Sequence, residues 1–395
     1  MRIDLISEHA DPLAAIGGAD SGGQNVHVAA LATALARRGH EVVVHTRRSA
    51  PGQPRSVPLA DGARVEYITA GPAAQVPKDE LPPYMPAFAD ELARRWAVRP
   101  PDVAHAHFWM SGRAALLAAR GLPVVQTFHA LGTVKRRWQG RADTSPPGRI
   151  AVETQIGRRA AAVVATCADE VTELRAMGVP DHRVSIVPCG VDLGHFTPQG
   201  PKARKGAAMR VLSIGRLVPR KGVDTVLRAL RELPEAELVI AGGEAEDPEA
   251  VRLAELAAAY GLADRVKVIG SVPRERVPAL MRSADVLVSV PWYEPFGMVP
   301  LEAMACGVPV IASAVGGHLD TVAGCGVLVP PRRPQALARA LRDLLDNPAR
   351  RAQLGEAGAT KARQMYGWPH VAEQTEAVYQ SVLEGRMGRA TCTGT

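Results

Sequence analysis

Short apolar runs alternate with longer segments of helical periodicity from one end of the chain to the other. This alternation predicts α/β domains built on parallel sheets, with helices connecting the strands. Residues 24–38 illustrate the helical pattern, because Val28, Leu31 and Leu35 fall on one face. The apolar runs predict strands at residues 2–7, 41–46, 65–69, 103–106, 124–127, 162–165, 184–187, 210–214, 237–241, 266–270, 284–290 and 309–312.

The alternation is interrupted once, at residues 198–208, which are rich in Pro, Gly, Lys and Arg and lack an apolar face. We therefore expect a Rossmann-like domain at residues 1–197, a linker at 198–208 and a second Rossmann-like domain at 209–365. Residues 366–384 again have helical periodicity, and the small polar residues 385–395 predict a disordered tail. Two doubly wound domains facing a central cleft are the simplest architecture, with ligands bound at the carboxyl ends of the strands.

The composition is that of a globular protein and indicates where in the cell the protein is expected. Of the 395 residues, 47% are hydrophobic and 22% are charged, and no apolar stretch is long enough to span a bilayer. Asp4 and Glu8 interrupt the region where a signal peptide would have its apolar core. Five scattered cysteines without C-x-x-C spacing argue against a disulfide framework, so we expect a cytoplasmic location.

The charge points to anionic small molecules. The formal net charge is +7, but the arginines are spread along the chain, and the aromatic content of 4% is too low for base-stacking platforms. Phosphorylated small molecules are therefore favoured over nucleic acid as partners.

Two features of the first half are compatible with several functions. The glycine-rich loop at residues 17–23 lies between a strand and a helix, where backbone N–H groups favour a phosphate, although a tight turn explains it equally well. The loop lacks the G-x-G-x-x-G pattern of dinucleotide-binding enzymes. The second strand ends in arginines, so binding of NADP remains an alternative only through Arg47. His105 and His107 point the same way from one strand, but no third metal ligand is evident, and we expect no metal site.

Two segments of the second half place charged side chains in loops. Residues 215–222 follow the first strand and hold Arg216 and Lys221, two cations that could neutralise a diphosphate. Taken alone, this loop is more typical of a solvated basic surface.

The segment 291–313 has the pattern strand end, loop, short helix, strand. Glu294 falls in the loop and Glu302 on the early helix, eight residues later, so both carboxylates can face one ligand. Backbone amides at the start of this helix are available to sugar hydroxyls or a phosphate. They belong to Gly297, Met298 and Val299.

These motifs together resemble glycosyltransferase family 4, retaining nucleotide-sugar enzymes of GT-B architecture with two Rossmann-like domains. The similarity lies in G-R-L-x-x-x-K-G, in E-P-F-G-x-x-x-x-E-A-M-A-x-G-x-P-V-I-A-S and in V-G-G at residues 315–317. The first half is similar to the branch that contains sucrose-phosphate synthase and the mycothiol D-inositol-3-phosphate glycosyltransferases, at residues 22–28, 78–82, 105–112 and 128–135. The resemblance covers residues 1–384 and implies that the last helix crosses back onto the first domain.

The resemblance implies a role for each matching position. The expected catalytic residues are His129, Arg216, Lys221 and Glu294. The resemblance implies that His129 lies near the reacting sugar carbon and that Glu294 binds the donor sugar. It implies that Arg216 and Lys221 bind the departing diphosphate. The expected donor-binding groups, including a carboxylate for the ribose hydroxyls, are those of Gly22, Gly23, Gly297, Met298, Val299 and Glu302. The family mechanism needs neither a protein nucleophile nor a metal ion, so no cofactor is expected, and the sequence contains no D-x-D pair.

The expected acceptor-binding residues depart from the family pattern. They are Asn25, Lys78, Phe108, Ala130 and Arg149. The resemblance implies that the inositol-phosphate enzymes hold the acceptor phosphate with a Lys, a Tyr, a Thr and an Arg. In this sequence Lys78 matches the Lys and Arg149 matches the Arg. Phe108 stands in place of the Tyr, and Ala130 stands in place of the Thr. Each missing contact to a charged group is typically worth about 1.5–3 kcal/mol, so we expect a changed acceptor.

The sequence therefore predicts a retaining, metal-independent glycosyltransferase that moves a sugar from a nucleoside-diphosphate sugar to a small polar acceptor. UDP is favoured over GDP as the nucleotide, and specialised-metabolite or low-molecular-weight thiol biosynthesis is the expected setting. The alternatives are a D-inositol-3-phosphate N-acetylglucosaminyltransferase of mycothiol synthesis, a phosphorylase or sugar-phosphate synthase on the same scaffold, and an NADP-dependent oxidoreductase. The intact charged motifs disfavour a silent binding module. The oligomeric state is open, with a homodimer as one option.

Overall fold

The computed structural model describes residues 1–14, 22–206, 208–244 and 246–392, with side chains as far as residue 385. The chain divides into two compact units. Unit 1 combines Met1–Cys189 with Trp368–Thr395, and unit 2 is Gly190–Gly367.

Unit 1 is built on an eight-stranded sheet in the order β3-β4-β2-β1-β5-β6-β7-β8. All neighbouring strands are parallel except the edge pair β3 and β4. The chain runs outward in both directions from β1, which pairs with β2 and β5, so this sheet is doubly wound. The strands are β1 (Arg2–Ile6), β2 (Glu41–Arg47), β3 (Ser56–Ala60), β4 (Ala63–Ile68), β5 (Val103–His107), β6 (Val124–Thr127), β7 (Ala162–Ala165) and β8 (Val184–Ile186).

Helices cover the apolar side chains of this sheet in two separate clusters. Ile3 and Leu5 of β1 belong to one cluster and Ile6 to the other, as the alternation of a strand requires. The helices of unit 1 are α1 (Gly23–Arg37), α2 (Met85–Val98), α3 (Trp109–Ala118), α4 (Gly132–Gln139), α5 (Arg149–Arg159), α6 (Ala168–Ala176) and α14 (Trp368–Cys392). Trp368 and Tyr379 of α14 are buried in the same cluster as Leu31 of α1, and this packing attaches the C-terminal helix to unit 1.

Unit 2 repeats the same architecture with a six-stranded, wholly parallel sheet in the order β11-β10-β9-β12-β13-β14. Its strands are β9 (Met209–Ile214), β10 (Ala236–Ala241), β11 (Val266–Val268), β12 (Val286–Ser289), β13 (Val310–Ser313) and β14 (Val327–Val329). Its helices are α7 (Val223–Leu230), α8 (Pro248–Ala259), α9 (Val277–Arg282), α10 (Met298–Ala305), α11 (His318–Thr321), α12 (Pro334–Asp346) and α13 (Pro348–Met365).

The predicted fold class is confirmed, and all twelve predicted strands are present within a few residues of their expected ends. Two short edge strands, β3 and β14, were not predicted. The half-exposed β3 contains Pro58, and β14 has only three residues. The three apolar residues of β14 are too few to show a period, and the pattern of β3 is weak because an edge strand is covered less than a central one.

The boundary between the units lies earlier than residues 197–208 suggested. The described part of the expected linker is held against the rest of unit 2 by hydrogen bonds. Arg282 on α9 donates to the carbonyls of Thr197 and Pro201 over 2.9 and 3.0 Å, and Ala203 N donates to Ala279 O over 2.9 Å. Backbone carbonyls can be bound by an arginine without any apolar side chain, which explains why the composition of this segment indicated a linker.

The C-terminal helix begins at Trp368 with Pro369 in its first turn, close to the predicted start at residue 366. Of the tail predicted to be disordered, residues 385–392 continue α14, and residues 393–395 lie outside the described residues. Among the helices that are described, none combines the length and the apolar character needed to cross a membrane.

Candidate active site

In unit 2, the predicted basic loop and the predicted acidic loop meet at the ends of β9 and β12. Lys221 Nζ lies 2.5 Å from Glu294 Oε2 and forms an ion pair with it. Gly222 permits this approach, because it has φ +72° and a Cβ there would lie 2.2 Å from the Val290 carbonyl oxygen. The loop at 215–222 is therefore packed against the site loop at its Lys221–Gly222 end, whereas Arg216 is exposed.

The carboxylate of Glu294 is held in its charged form. Burial alone would raise the pKa of Glu294, but the nearby charges of Lys221 and Arg220 hold it down to about 2. The V-G-G motif fixes the same loop from the other side, since Gly317 N donates to Glu294 O over 3.1 Å. A Cβ on Gly316 would lie 2.1 Å from that oxygen, so the motif requires glycine for close packing.

The helix α10 begins directly after this loop. Gly297 is its N-cap with φ +96°, and the amides of the first turn, including Met298 and Val299, have no acceptor within the helix. Glu302 lies one turn further on, with its carboxylate 3.8 Å from Arg274. Burial raises the pKa of Glu302 to about 7, although Arg274 opposes the shift.

The raised pKa of Glu302 predicts pH-dependent donor binding. If its ionised carboxylate accepts the ribose hydroxyls, affinity for a nucleotide sugar should improve about tenfold between pH 6 and pH 8, because protonation below pH 7 removes the charged acceptor. UDP-glucose suits this titration, since its diphosphate does not change charge in this range. Binding by the Glu302→Gln variant should be weaker and independent of pH; an unchanged pH profile in that variant would assign the dependence to another group.

In unit 1, the candidate residues gather where the adjacent strands β5 and β6 end. Phe108 follows β5 and His129 follows β6, with Phe108 N donating to Thr127 O over 2.8 Å. Both residues have positive φ, 80° for Phe108 and 60° for His129. Such conformations are rare for residues other than glycine and concentrate at functional sites.

His129 is part of a compact group of imidazoles, the histidine cluster, defined as His27, His107 and His129. His107 Nδ1 lies 3.0 Å from His129 Nε2, and the ring of His27 lies 4.9 Å from that of His129. Burial lowers the pKa of His27 to about 4 and the pKa values of His107 and His129 well below their usual range, so all three rings are neutral at pH 7.

The expected acceptor residues surround the ring of Phe108. Lys78 Nζ lies 5.7 Å and Arg149 Cζ 5.0 Å from its centroid, both over its face. Arg149 is buried on α5, where its guanidinium donates to Glu153 over 2.7 Å, to Ser145 over 3.1 Å and to the Ala130 carbonyl over 2.5 Å. Its positive charge is thus already matched by Glu153.

The glycine-rich loop that precedes α1 is described only in part. Gly22 caps the helix, and its N–H donates to the Asn25 side chain over 3.0 Å, while the Asn25 amide donates to Asp11 O over 2.9 Å. Residues 17–21 of the predicted phosphate loop lie outside the described residues, whereas Gly23 begins the helix. The buried Asn25 side chain is therefore bonded to backbone groups of Asp11 and Gly22.

The alternative role of Arg47 in NADP binding is not supported. Its guanidinium donates to the carbonyls of Pro72 and Ala74, each over 2.7 Å, and the residue is buried. Arg47 thus holds a neighbouring loop.

Sequence reasoning missed several residues that the structure adds to the two groups. The partner of Arg149, Glu153, was detectable as an i, i+4 pair on one helix. No sequence spacing indicated that Arg274 lies beside Glu302 or that His27 lies beside His107. Sheet and helix packing brings these residues together from distant parts of the chain.

Comparisons with known proteins identify the family of the chain. Residues 21–195 match the family described as Glycosyltransferase Family 4, and residues 201–361 match Glycosyl transferases group 1. D-inositol 3-phosphate glycosyltransferase of Kineococcus radiotolerans is 39% identical over 419 residues, which cover 98% of this chain and 96% of the relative. The protein of that name from Xylanimonas cellulosilytica is 39% identical over 413 residues, covering 98% of both chains.

Solved structures show the same fold. Sucrose-phosphate synthase from Thermosynechococcus elongatus superposes with a TM-score of 0.90 at 32% identity, covering 97% of this chain and 99% of that one. Anabaena HepE, whose structure contains UDP and glucose, superposes with a TM-score of 0.74 at 20% identity, covering 96% of this chain and 100% of that one.

The fold and the site thus define a glycosyltransferase of GT-B architecture, as the sequence predicted. Within that class, the chain belongs to the family that contains the D-inositol 3-phosphate glycosyltransferases.

Proposed function

We propose that this glycosyltransferase moves a sugar from a UDP-sugar to a small polar acceptor other than D-inositol 3-phosphate, with retention of configuration. The observation that carries the donor half of the proposal is the Lys221–Glu294 ion pair beside the start of α10. It places a cation for the diphosphate, a carboxylate for the sugar hydroxyls and free helix amides in one loop system. UDP in the Anabaena structure supports uridine over guanosine.

In the proposed reaction, the bond between the sugar carbon and the β-phosphate oxygen breaks while the acceptor oxygen, nitrogen or sulfur attacks the same face of the sugar. The departing phosphate oxygen accepts the proton of the acceptor, so the products are the glycoside and the nucleoside diphosphate. Arg216 and Lys221 stabilise the charge that develops on the leaving group. With these cations in that role, the reaction needs no metal ion.

The proposed change of acceptor depends on the surroundings of Phe108. The ring carries no hydroxyl, Ala130 offers only a methyl group, and the guanidinium of Arg149 is paired with Glu153. An acceptor with fewer anionic oxygens than a phosphate monoester suits this arrangement. We propose the cytoplasm as the setting, which the free thiols of Cys306 and Cys325 support.

D-inositol 3-phosphate is the second candidate acceptor. It is favoured by the names of relatives that are 39% identical over almost the whole chain, and by the presence of Lys78 and Arg149.

The double variant Phe108→Tyr/Ala130→Thr distinguishes the two candidates. If these positions were altered for another acceptor, the variant should gain at least about tenfold in kcat/KM for D-inositol 3-phosphate, because each restored contact to a charged group contributes about 1.5–3 kcal/mol. Initial rates with UDP-N-acetylglucosamine and UDP-glucose measure this.

Hydrolysis of the donor without acceptor serves as the control and should not change. Efficient wild-type turnover of D-inositol 3-phosphate, with no gain in the double variant, would overturn the proposed acceptor while leaving the donor assignment intact. Absence of binding to any uridine nucleotide would overturn the donor assignment.

A further inference from the structure

The ring of His129 is bonded through one nitrogen and leaves the other available. Its Nε2 lies 3.0 Å from Nδ1 of His107, whereas its own Nδ1 has no hydrogen-bond partner among the described residues. His129 is partly exposed, and His107 is completely buried. The Nδ1 edge of His129 is therefore the edge that a ligand or water can reach.

The contact between His107 and His129 has the geometry of a straight hydrogen bond. The two ring planes are inclined by 23°, and the ring centroids lie 5.2 Å apart. With the nitrogens 3.0 Å apart, this is close to the largest separation that two imidazole rings can have, so the line between the nitrogens runs nearly through both ring centres. An N–H along that line points directly at the lone pair of the other ring. The two neutral rings thus share one proton between them, and either ring could own it.

The opposite nitrogen of His107 decides which ring owns this proton. His107 Nε2 is buried and has no hydrogen-bond partner among the residues that the structure describes. A neutral imidazole carries one proton. If His129 donated the hydrogen bond, the proton of His107 would sit on Nε2 as a buried N–H without an acceptor, which is rare and costly. If His107 donates it, Nε2 keeps only a lone pair, and an unpaired buried acceptor is tolerated more often than an unpaired donor.

The neighbours of His107 hold its ring in this orientation. His107 ends the central strand β5, and the ring of His105 on the same strand lies 4.3 Å from it, centroid to centroid. Both nitrogens of His105 are bonded, to Tyr379 over 2.7 Å and to Thr127 over 2.9 Å. His107 therefore packs against a ring that is itself fixed, so its bond to His129 is in place before any ligand binds.

We propose that His107 is a positioning residue whose Nδ1–H donates to His129 Nε2 and thereby keeps the proton of His129 on Nδ1. The available edge of His129 then presents an N–H donor to an oxygen of the donor sugar. This inference rests on the glycosyl transfer proposed above, with His129 beside the sugar. In this tautomer both nitrogens of His129 are committed, so the ring has no lone pair to receive the proton of the acceptor. That proton goes to the departing phosphate.

Nitrogen-15 NMR of the full chain, labelled in its histidine rings, tests the tautomer directly, because protonated and unprotonated ring nitrogens differ widely in chemical shift. We expect both His107 and His129 to carry their protons on Nδ1 at neutral pH. His129→Asn identifies the His129 signals by their loss, and asparagine tolerates the positive φ of this position. A proton on His129 Nε2 in the wild type would overturn the proposal. This measurement needs neither a substrate nor a variant of His107.

Two variants of His107 separate the donated proton from simple packing. His107→Leu removes the donor, so part of the His129 proton should move to Nε2. We expect kcat for hydrolysis of UDP-glucose without acceptor to fall at least about tenfold, with UDP affinity changed by no more than about twofold. His107→Asn keeps an amide N–H near the position of Nδ1 and should recover most of this loss. Packing alone predicts the reverse order, because asparagine is smaller than leucine and fills the site less well.

His370→Gln, a change at a half-exposed histidine of α14, is the matched control and should keep the wild-type tautomers and kcat. Wild-type kcat in folded His107→Leu, or equal losses in His107→Leu and His107→Asn, would overturn the positioning role. If the wild type cleaves no UDP-sugar, the glycosyl transfer proposed above fails instead, and the NMR spectrum still decides which ring owns the proton.

Discussion

Replacing Lys221 with alanine is expected to lower kcat at least about 100-fold, with a much smaller loss of nucleotide affinity. The Lys221 ammonium lies 2.5 Å from Glu294 and directly precedes Gly222, which packs closely against the Val290 carbonyl at the end of β12. Its charge is thus held in position before the donor binds, and such a preorganised cation acts most strongly when the diphosphate leaves. Steady-state kinetics combined with calorimetric binding of UDP separates the two effects.

Loss of Lys221 also changes Glu294, whose pKa is held at about 2 mainly by this neighbour against burial. In the variant that pKa should rise, so the remaining activity should fall as the pH is lowered through the new value. Lys267→Ala is the control, because Lys267 also pairs with a glutamate, over 2.8 Å, but is about half exposed. An equal loss of UDP affinity at unchanged kcat would show that Lys221 serves binding alone.

Replacing Glu153 with alanine is expected to destabilise unit 1 by about 3–5 kcal/mol, because a buried arginine then lacks its counter-charge. Glu153 is fully buried and accepts hydrogen bonds from Arg149 over 2.7 Å and from the Gly132 amide over 2.8 Å. For a unit of about 200 residues, this corresponds to a fall of roughly 6–20 °C in Tm. Differential scanning calorimetry on the full chain measures it.

Asp181→Ala removes a surface partner of Arg175 and is the matched control. Both side chains of that pair are largely exposed, so its loss should leave Tm nearly unchanged. Glu153→Gln, which keeps the shape and loses the charge, should fall between the two. A Tm for Glu153→Ala within about 2 °C of the wild type would mean that Arg149 finds another partner or reaches water.

Local sequence patterns determined the fold class and the loop system proposed to bind the donor. A strand, a loop with Glu294, a left-handed glycine and a helix with Glu302 are consecutive in the chain, and short-range rules suffice to place them. The paired basic loop was also recognisable as a motif, although its contact with Glu294 was not.

Tertiary structure alone decided the features that depend on distant contacts. The edge strand β3 pairs antiparallel with β4, and the segment before residue 207 joins unit 2 through Arg282. The histidine cluster spans more than 100 residues of sequence and forms only because β5 and β6 are neighbours in the sheet and α1 packs beside them.

The physical reason is the range of each interaction. Periodicity, glycine turns and helix starts depend on neighbouring residues, so the amino-acid sequence by itself determined the α/β class, the two-domain order and the E-x7-E loop. Strand order and the burial of side chains depend on which elements meet in space. For that reason only the tertiary structure decided that Lys221 is paired, that Arg149 is neutralised and that three histidines lie together.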